Sequence, residues 1–156
     1  MSVTNTLEGA ASMSIYTLLK GEHREVSALF KALEVSPNAL EKPLFDKLRR
    51  ELISHSNAEK AVVYPELDAK SSNKELIQEA EEEHTEIENL LMTVENAEGD
   101  GWKQPLRDLK NKVENHVKEE EKTMFDEMKS VLSDEEAKNM AKDFSKVKKQ
   151  SMEMLK

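Results

Sequence analysis

His55-Ser-Asn-Ala-Glu59 and His116-Val-Lys-Glu-Glu120 are two copies of one pattern, a histidine followed four residues later by a glutamate. On an α-helix of about 3.6 residues per turn, positions i and i+4 share a face, so each pair offers an imidazole and a carboxylate to the same point. The two remaining histidines complete a repeat. His23 stands 32 residues before His55, and His84 stands 32 residues before His116, so the whole unit recurs at an offset of 61. The same offset pairs Glu22 with Glu83, Val26 with Ile87, Leu29 with Leu90, Leu52 with Val113, Tyr64 with Phe125 and Leu67 with Met128. A helical hairpin is duplicated within the chain.

Composition limits what surrounds this unit. A chain of 156 residues is most simply one domain. Its residues are 35% charged and 37% hydrophobic, with 4 Gly and 4 Pro, and its long runs of Glu, Lys, Leu, Ala and Met are those of good helix formers. A net charge of −9 leaves no basic stripe for a phosphate backbone, so nucleic acid is not an expected partner. The absence of cysteine removes disulfides and thiolate ligands, leaving nitrogen and oxygen donors. No run approaches the roughly 20 apolar residues of a membrane span, and no basic-then-apolar leader opens the chain. A cytoplasmic protein without membrane contact is expected.

In chain order, residues 1–11 read as a flexible lead. The first helix is expected from Ser12 or Ser14, with Ile15, Leu19, Val26, Phe30 and Leu33 on one face and His23 among them. Ser36-Pro37-Asn38 ends it, Pro43 suits the first turn of the second helix, and Tyr64-Pro65 should kink or end that helix. Residues 68–73 then form the connection. The second hairpin repeats the plan, interrupted at Glu98-Gly-Asp-Gly101. Ser133-Asp-Glu-Glu136 is a capping box that starts a last helix, expected to pack outside the other four. The fold predicted is all-α: an up-down-up-down antiparallel four-helix bundle over residues 12–132, with an accessory C-terminal helix over 133–156.

In such a bundle the mid-helix residues of all four helices meet at one level. His23, His55, Glu59, His84, His116 and Glu120 all fall on core-facing stripes, and burying two carboxylates without a countercharge is costly. Metal cations supply that charge. Six ligands of nitrogen and oxygen are too many for tetrahedral zinc, whereas two octahedral ions bridged by two carboxylates would each keep two imidazoles and spare positions. The Glu-x-x-His step of ferritin-like di-iron proteins occurs at Glu81 to His84 but not before His116, where Val113 stands instead.

A lone His, H-x-x-x-E, a second lone His and a second H-x-x-x-E on four helices resembles the hemerythrin-like, or HHE cation-binding, domain, over roughly residues 14 to 130. The resemblance implies a non-haem centre of two iron ions that binds O2 or a related small molecule. By position, His23 and His55 resemble the ligands of one iron, His84 and His116 those of the other, and Glu59 and Glu120 the bridges. Oxygen carriers of the family have a fifth histidine one turn after the third, where this chain has Glu88. Glu88 is therefore a further donor candidate, directly or through water, and oxidation by air is expected rather than reversible O2 carriage. The carriers place the second bridge five residues after the last histidine, at Glu121 here. The four-residue step and the match to Glu59 favour Glu120, with Glu121 on the surface. Two function classes stay open: a protein that binds or senses O2, nitric oxide, peroxide or iron, and a di-iron enzyme that consumes peroxide or nitrogen oxides.

Overall fold

The computed structural model describes residues 13–155, so the proposed lead at residues 1–11 lies outside the described residues. Helix α1 (Ile15–Val35) starts at Ser14, whose side chain accepts from the Thr17 amide and satisfies one of the free N–H groups of the first turn. It stops where Ser36 turns extended ahead of Pro37. Helix α2 (Asn38–Ala58) follows at once. Pro43 thus lies inside α2 rather than in its first turn, because the extended Pro37 already launches the helix at Asn38.

Tyr64-Pro65 does not end the second rod. A π-helical turn (Glu59–Val63) joins α2 to α3 (Tyr64–Lys70), and the Tyr64 amide bonds back to the Glu59 carbonyl. Pro65 then occupies the start of the resumed α-helix, where a missing N–H costs little. Proline is not the cause of the widened turn. The second hairpin has the same π-turn at Glu120–Met124, offset by 61 from the first, with Asp126 in the place of Pro65. In both copies the wide turn begins at the glutamate of the H-x-x-x-E step, the kind of location where single π-turns mark functional sites.

The connection between the hairpins is only residues 71–73, and Asn73 caps α4 (Lys74–Asn96) by accepting from the Leu76 amide. Gly99, in the left-handed region at φ 56°, turns the chain through a short 3-10 segment into α5 (Lys103–Glu119). After the second π-turn come α6 (Phe125–Val131) and α7 (Asp134–Met154), the latter opened by the expected capping box of Ser133 and Glu136. α1 packs on α2 and α4 on α5, giving the up-down-up-down bundle.

α7 is more than an accessory. It lies along α1, α2 and the first π-turn, and Ala137, Met140, Ala141 and Phe144 join Ile15, Leu19, Ala58 and Val63 in one buried cluster. The groove between α1 and the second rod presents an apolar strip there, and α7 covers it, with Lys148 and Ser151 reaching Glu22, Glu51 and Asn57 alongside. A second apolar cluster, built on Val26, Phe30, Leu48, Leu91, Leu109 and Val113, fills the opposite end of the bundle. Between the two apolar clusters lies the polar layer.

Candidate metal centre

That layer collects one histidine from each main helix: His23 from α1, His55 from α2, His84 from α4 and His116 from α5, all buried. Glu59 and Glu120, at the first position of each π-turn, are 0% and 2% exposed. The Glu59 Oε1 atom lies 2.8 Å from His55 Nε2 and 3.2 Å from His84 Nε2. On the other side, Glu120 Oε2 lies 3.3 Å from His116 Nε2 and Glu120 Oε1 lies 3.3 Å from His23 Nε2. Each carboxylate therefore stands between an imidazole of its own hairpin and one of the other.

The outward nitrogens are all occupied. His23 Nδ1–H donates to Glu121 at 2.7 Å, His55 Nδ1–H to Glu22 at 3.2 Å, and His116 Nδ1–H to Glu83 at 2.9 Å. His84 Nδ1–H donates to Ser56 Oγ at 2.7 Å, and that hydroxyl donates onward to Glu88 at 3.2 Å. Fixing Nδ1 as the donor leaves Nε2 as the inward, lone-pair nitrogen in all four rings.

Two of those imidazole atoms, and the carboxylates they face, lack matching partners. Although carboxylate and imidazole atoms approach closely, the angles are not those of hydrogen bonds, and His23 Nε2, His116 Nε2 and both oxygens of Glu59 and Glu120 have no hydrogen-bond partner. Buried polar groups in native proteins are nearly always paired, so six orphaned atoms at one level fit a bound cation. The donor atoms converge in two groups, Glu59 with His84, His116 and Glu120, and His23 with His55 and Glu120. Imidazole and carboxylate suit iron among other divalent metals. The residues fit a metal.

Protons compete for the same atoms. Burial works against the charged form of His55, but Glu59 and Glu22 outweigh it and push its pKa up to about 10. Burial likewise opposes the upward shifts of His23 and His116, which Glu120 drives. Glu59 is held well below the usual carboxylate range, against its burial, by His55 and His84. Raised histidine pKa values stabilise the metal-free fold fully below 6.5, and that contribution is lost as pH rises towards about 10. The lowered pKa of Glu59 contributes above 4.5 and is lost as pH falls through the folded-state value. Metal-free protein should thus be most resistant to urea between these limits and weaken steadily above pH 6.5. Metal loading requires neutral imidazoles, so it should release protons and tighten as pH rises. Urea midpoints with and without metal check both trends, and a metal-free midpoint unchanged from pH 6.5 to 10 would contradict them.

Two residues lie elsewhere than expected. Glu121 is no free surface group, because the π-turn rotates it towards α1 and onto His23. Glu88 sits on the Nδ1 side of His84, held by Ser56 and by Lys60 at 2.7 Å, and is not among the converging donors. Sequence reasoning also missed Tyr64, buried with its hydroxyl 2.7 Å from His84 Nε2. Its signal was the repeat itself: Tyr64 pairs with Phe125, and the odd oxygen breaks the symmetry. The matched Glu22 and Glu83, each just before a histidine, were a similar unused signal.

A cavity of about 30 Å³ touches all four histidines together with Ser56 and Glu88, and is otherwise walled by Val26, Leu52, Ile87, Leu91, Val113 and Val117. It is room for a few atoms, in apolar surroundings. Among the described residues no helix is long and apolar enough to cross a membrane.

A helical bundle with a buried histidine–carboxylate cluster facing an orphaned interior defines a cation-binding bundle protein. The family model described as "Hemerythrin HHE cation binding domain" matches residues 14–128, and the chain belongs to that family. A crystal structure of a hemerythrin HHE cation binding domain-containing protein from Mycobacterium kansasii shares the fold at a TM-score of 0.81 and 24% identity, over 91% of this chain and 89% of that one. A protein named "DNA nickase" from Nostoc sp. (strain PCC 7120 / SAG 25.82 / UTEX 2576) is 27% identical over 147 residues. That match takes in 92% of this chain but only 41% of the relative's length.

Proposed function

We propose that the cluster holds a pair of non-haem iron ions, His23 and His55 on one, His84 and His116 on the other, with Glu59 and Glu120 joining them. On this reading the protein binds or senses a small molecule such as O2, nitric oxide or peroxide, or iron itself. The observation that supports it most is the set of buried Nε2 and carboxylate oxygens left without hydrogen-bond partners. A bound iron pair would supply redox change and open coordination positions.

The chain's own residues contribute orientation and exclusion. Four Nδ1–H bonds hold the imidazole planes, and Phe144 packs its ring edge against His55 at a centroid distance of 5.5 Å. The small apolar cavity beside the histidines favours a neutral ligand of a few atoms over a large or charged one. A second reading, as an enzyme consuming peroxide or nitrogen oxides, is favoured by Tyr64, whose O–H places a proton donor within the layer. Nucleic acid stays outside the reading, since a net charge of −9 repels a phosphate backbone.

The test is metal stoichiometry together with absorption spectra of air-exposed and reduced protein, each mixed with O2, peroxide and nitric oxide. Two irons per chain and a ligand-dependent spectrum are expected. Sustained peroxide or nitric oxide turnover would select the enzyme, and a colourless, iron-free protein from iron-supplemented growth would overturn both readings.

A further inference from the structure

We propose that divalent metal ions reach the centre through a carboxylate-lined mouth made by Glu79, Glu83 and Glu119, and that α7 has closed the equivalent mouth of the other hairpin. The proposal rests on the metal-binding reading above. The mouth is a cavity of about 20 Å³ at the face where α4 meets α5. Glu79 and Glu119 are exposed at its rim and Glu83 is half-buried. His116 and Glu120 form its inner wall, and these are the buried side chains whose Nε2 and carboxylate oxygens have no hydrogen-bond partner. A cation moving inward passes from solvated carboxylates to a desolvated carboxylate and an imidazole, each step replacing lost water with an oxygen or nitrogen donor.

The rim of the mouth is acidic, while Glu83 bonds inward to His116. Among the described residues neither Glu79 nor Glu119 forms a salt bridge, and Lys112, close enough to act on Glu83 and Glu119, is itself paired with Glu86. Like charges around a narrow opening focus the field and raise the local cation concentration.

The duplication supplies an internal control. At the offset of 61, Glu79 becomes Leu18, Glu119 becomes Ala58 and Glu83 becomes Glu22. Leu18 and Ala58 pack in the apolar cluster that α7 completes. Glu22, the one carboxylate retained, is bridged by Lys148 from α7, which also pairs with Glu51 at 2.8 Å. In that hairpin two of the three acids are replaced by apolar residues, the third is neutralised, and a helix covers the spot. Two copies of one hairpin thus differ in the feature that attracts a cation.

Cobalt(II) uptake by metal-free protein, followed by its visible absorption on rapid mixing, tests the proposal. Glu79→Gln, Glu119→Gln together should leave the final amount bound unchanged and slow uptake about ten-fold at low ionic strength. The difference should shrink in high salt, where charges are screened. Glu114→Gln, at the rim of a separate cavity beside His23, should not alter the rate. Wild-type uptake kinetics in the double variant, or equal slowing by Glu114→Gln, would overturn it. Should the double variant not fold, the single Glu79→Gln decides on the same criterion, with a smaller slowing expected. A wild-type protein that takes up no cobalt would instead refute the metal-binding reading, and the proposal with it.

Discussion

The variant carrying both His55→Ala and His116→Ala is expected to retain neither ion of the proposed metal pair. Each histidine contributes an inward Nε2 from a different hairpin, and each belongs to a different group of converging donors. Removing both leaves one imidazole per group, His23 and His84, beside the two carboxylates. The consequence for stability follows from linkage, since a ligand bound only by the folded state stabilises it by RT ln(1 + [L]/Kd). With free metal at about 100 times Kd, each site contributes about 2.7 kcal/mol, so two independent sites contribute about 5 kcal/mol. A chelator should therefore lower the melting temperature of the wild type markedly and leave that of the variant unchanged. Metal analysis with paired melts checks this. Two metals still bound per variant chain would remove His55 and His116 from the ligand set.

Glu120→Gln should be the most damaging single carboxylate change, and Glu121→Gln distinctly milder. Glu120 contributes an oxygen to both groups of converging donors, lies between His116 and His23, and is 2% exposed. An amide in its place keeps the shape but loses the charge that balances a cation, so loss of at least one metal is expected. Glu121 touches the outward nitrogen of His23, where a glutamine oxygen can still accept from Nδ1–H. Outer partners of metal-ligating histidines typically account for about 10- to 100-fold in affinity, and a loss in that range with stoichiometry intact is expected. Affinities by competition with a chromophoric chelator separate the two. If Glu121→Gln empties the site while Glu120→Gln does not, the register of the second π-turn is wrong.

The shared origin of these expectations is a site whose inner atoms were visible early and whose surroundings were not. Helical spacing is a local property: an i to i+4 step puts His55 with Glu59 and His116 with Glu120 on one face whatever the rest of the chain does, and an apolar stripe dictates that this face turns inward. Repetition at an offset of 61 made two such faces and, with His23 and His84, four helices that must pair. From this the family, the bundle and the six side chains that meet in the core followed without coordinates.

What tertiary structure decided lies between elements rather than within them. The π-turns, which start at Glu59 and Glu120 in the inner layer and beside which Glu121 bonds His23, are not dictated by proline, as the second forms without one. Lys60 and Ser56, reaching from the second rod, claim Glu88, a pairing between residues 28 and 32 positions apart that no periodicity encodes. Tyr64 reaches His84 only because the hairpins face each other. α7 shows the same limit from the other side: its capping box and amphipathic stripe predict a helix, but which groove it fills depends on the apolar surface that α1 and the second rod form together. Local sequence specifies where a helix starts and which face it buries; the partner of that face is a property of the assembled fold.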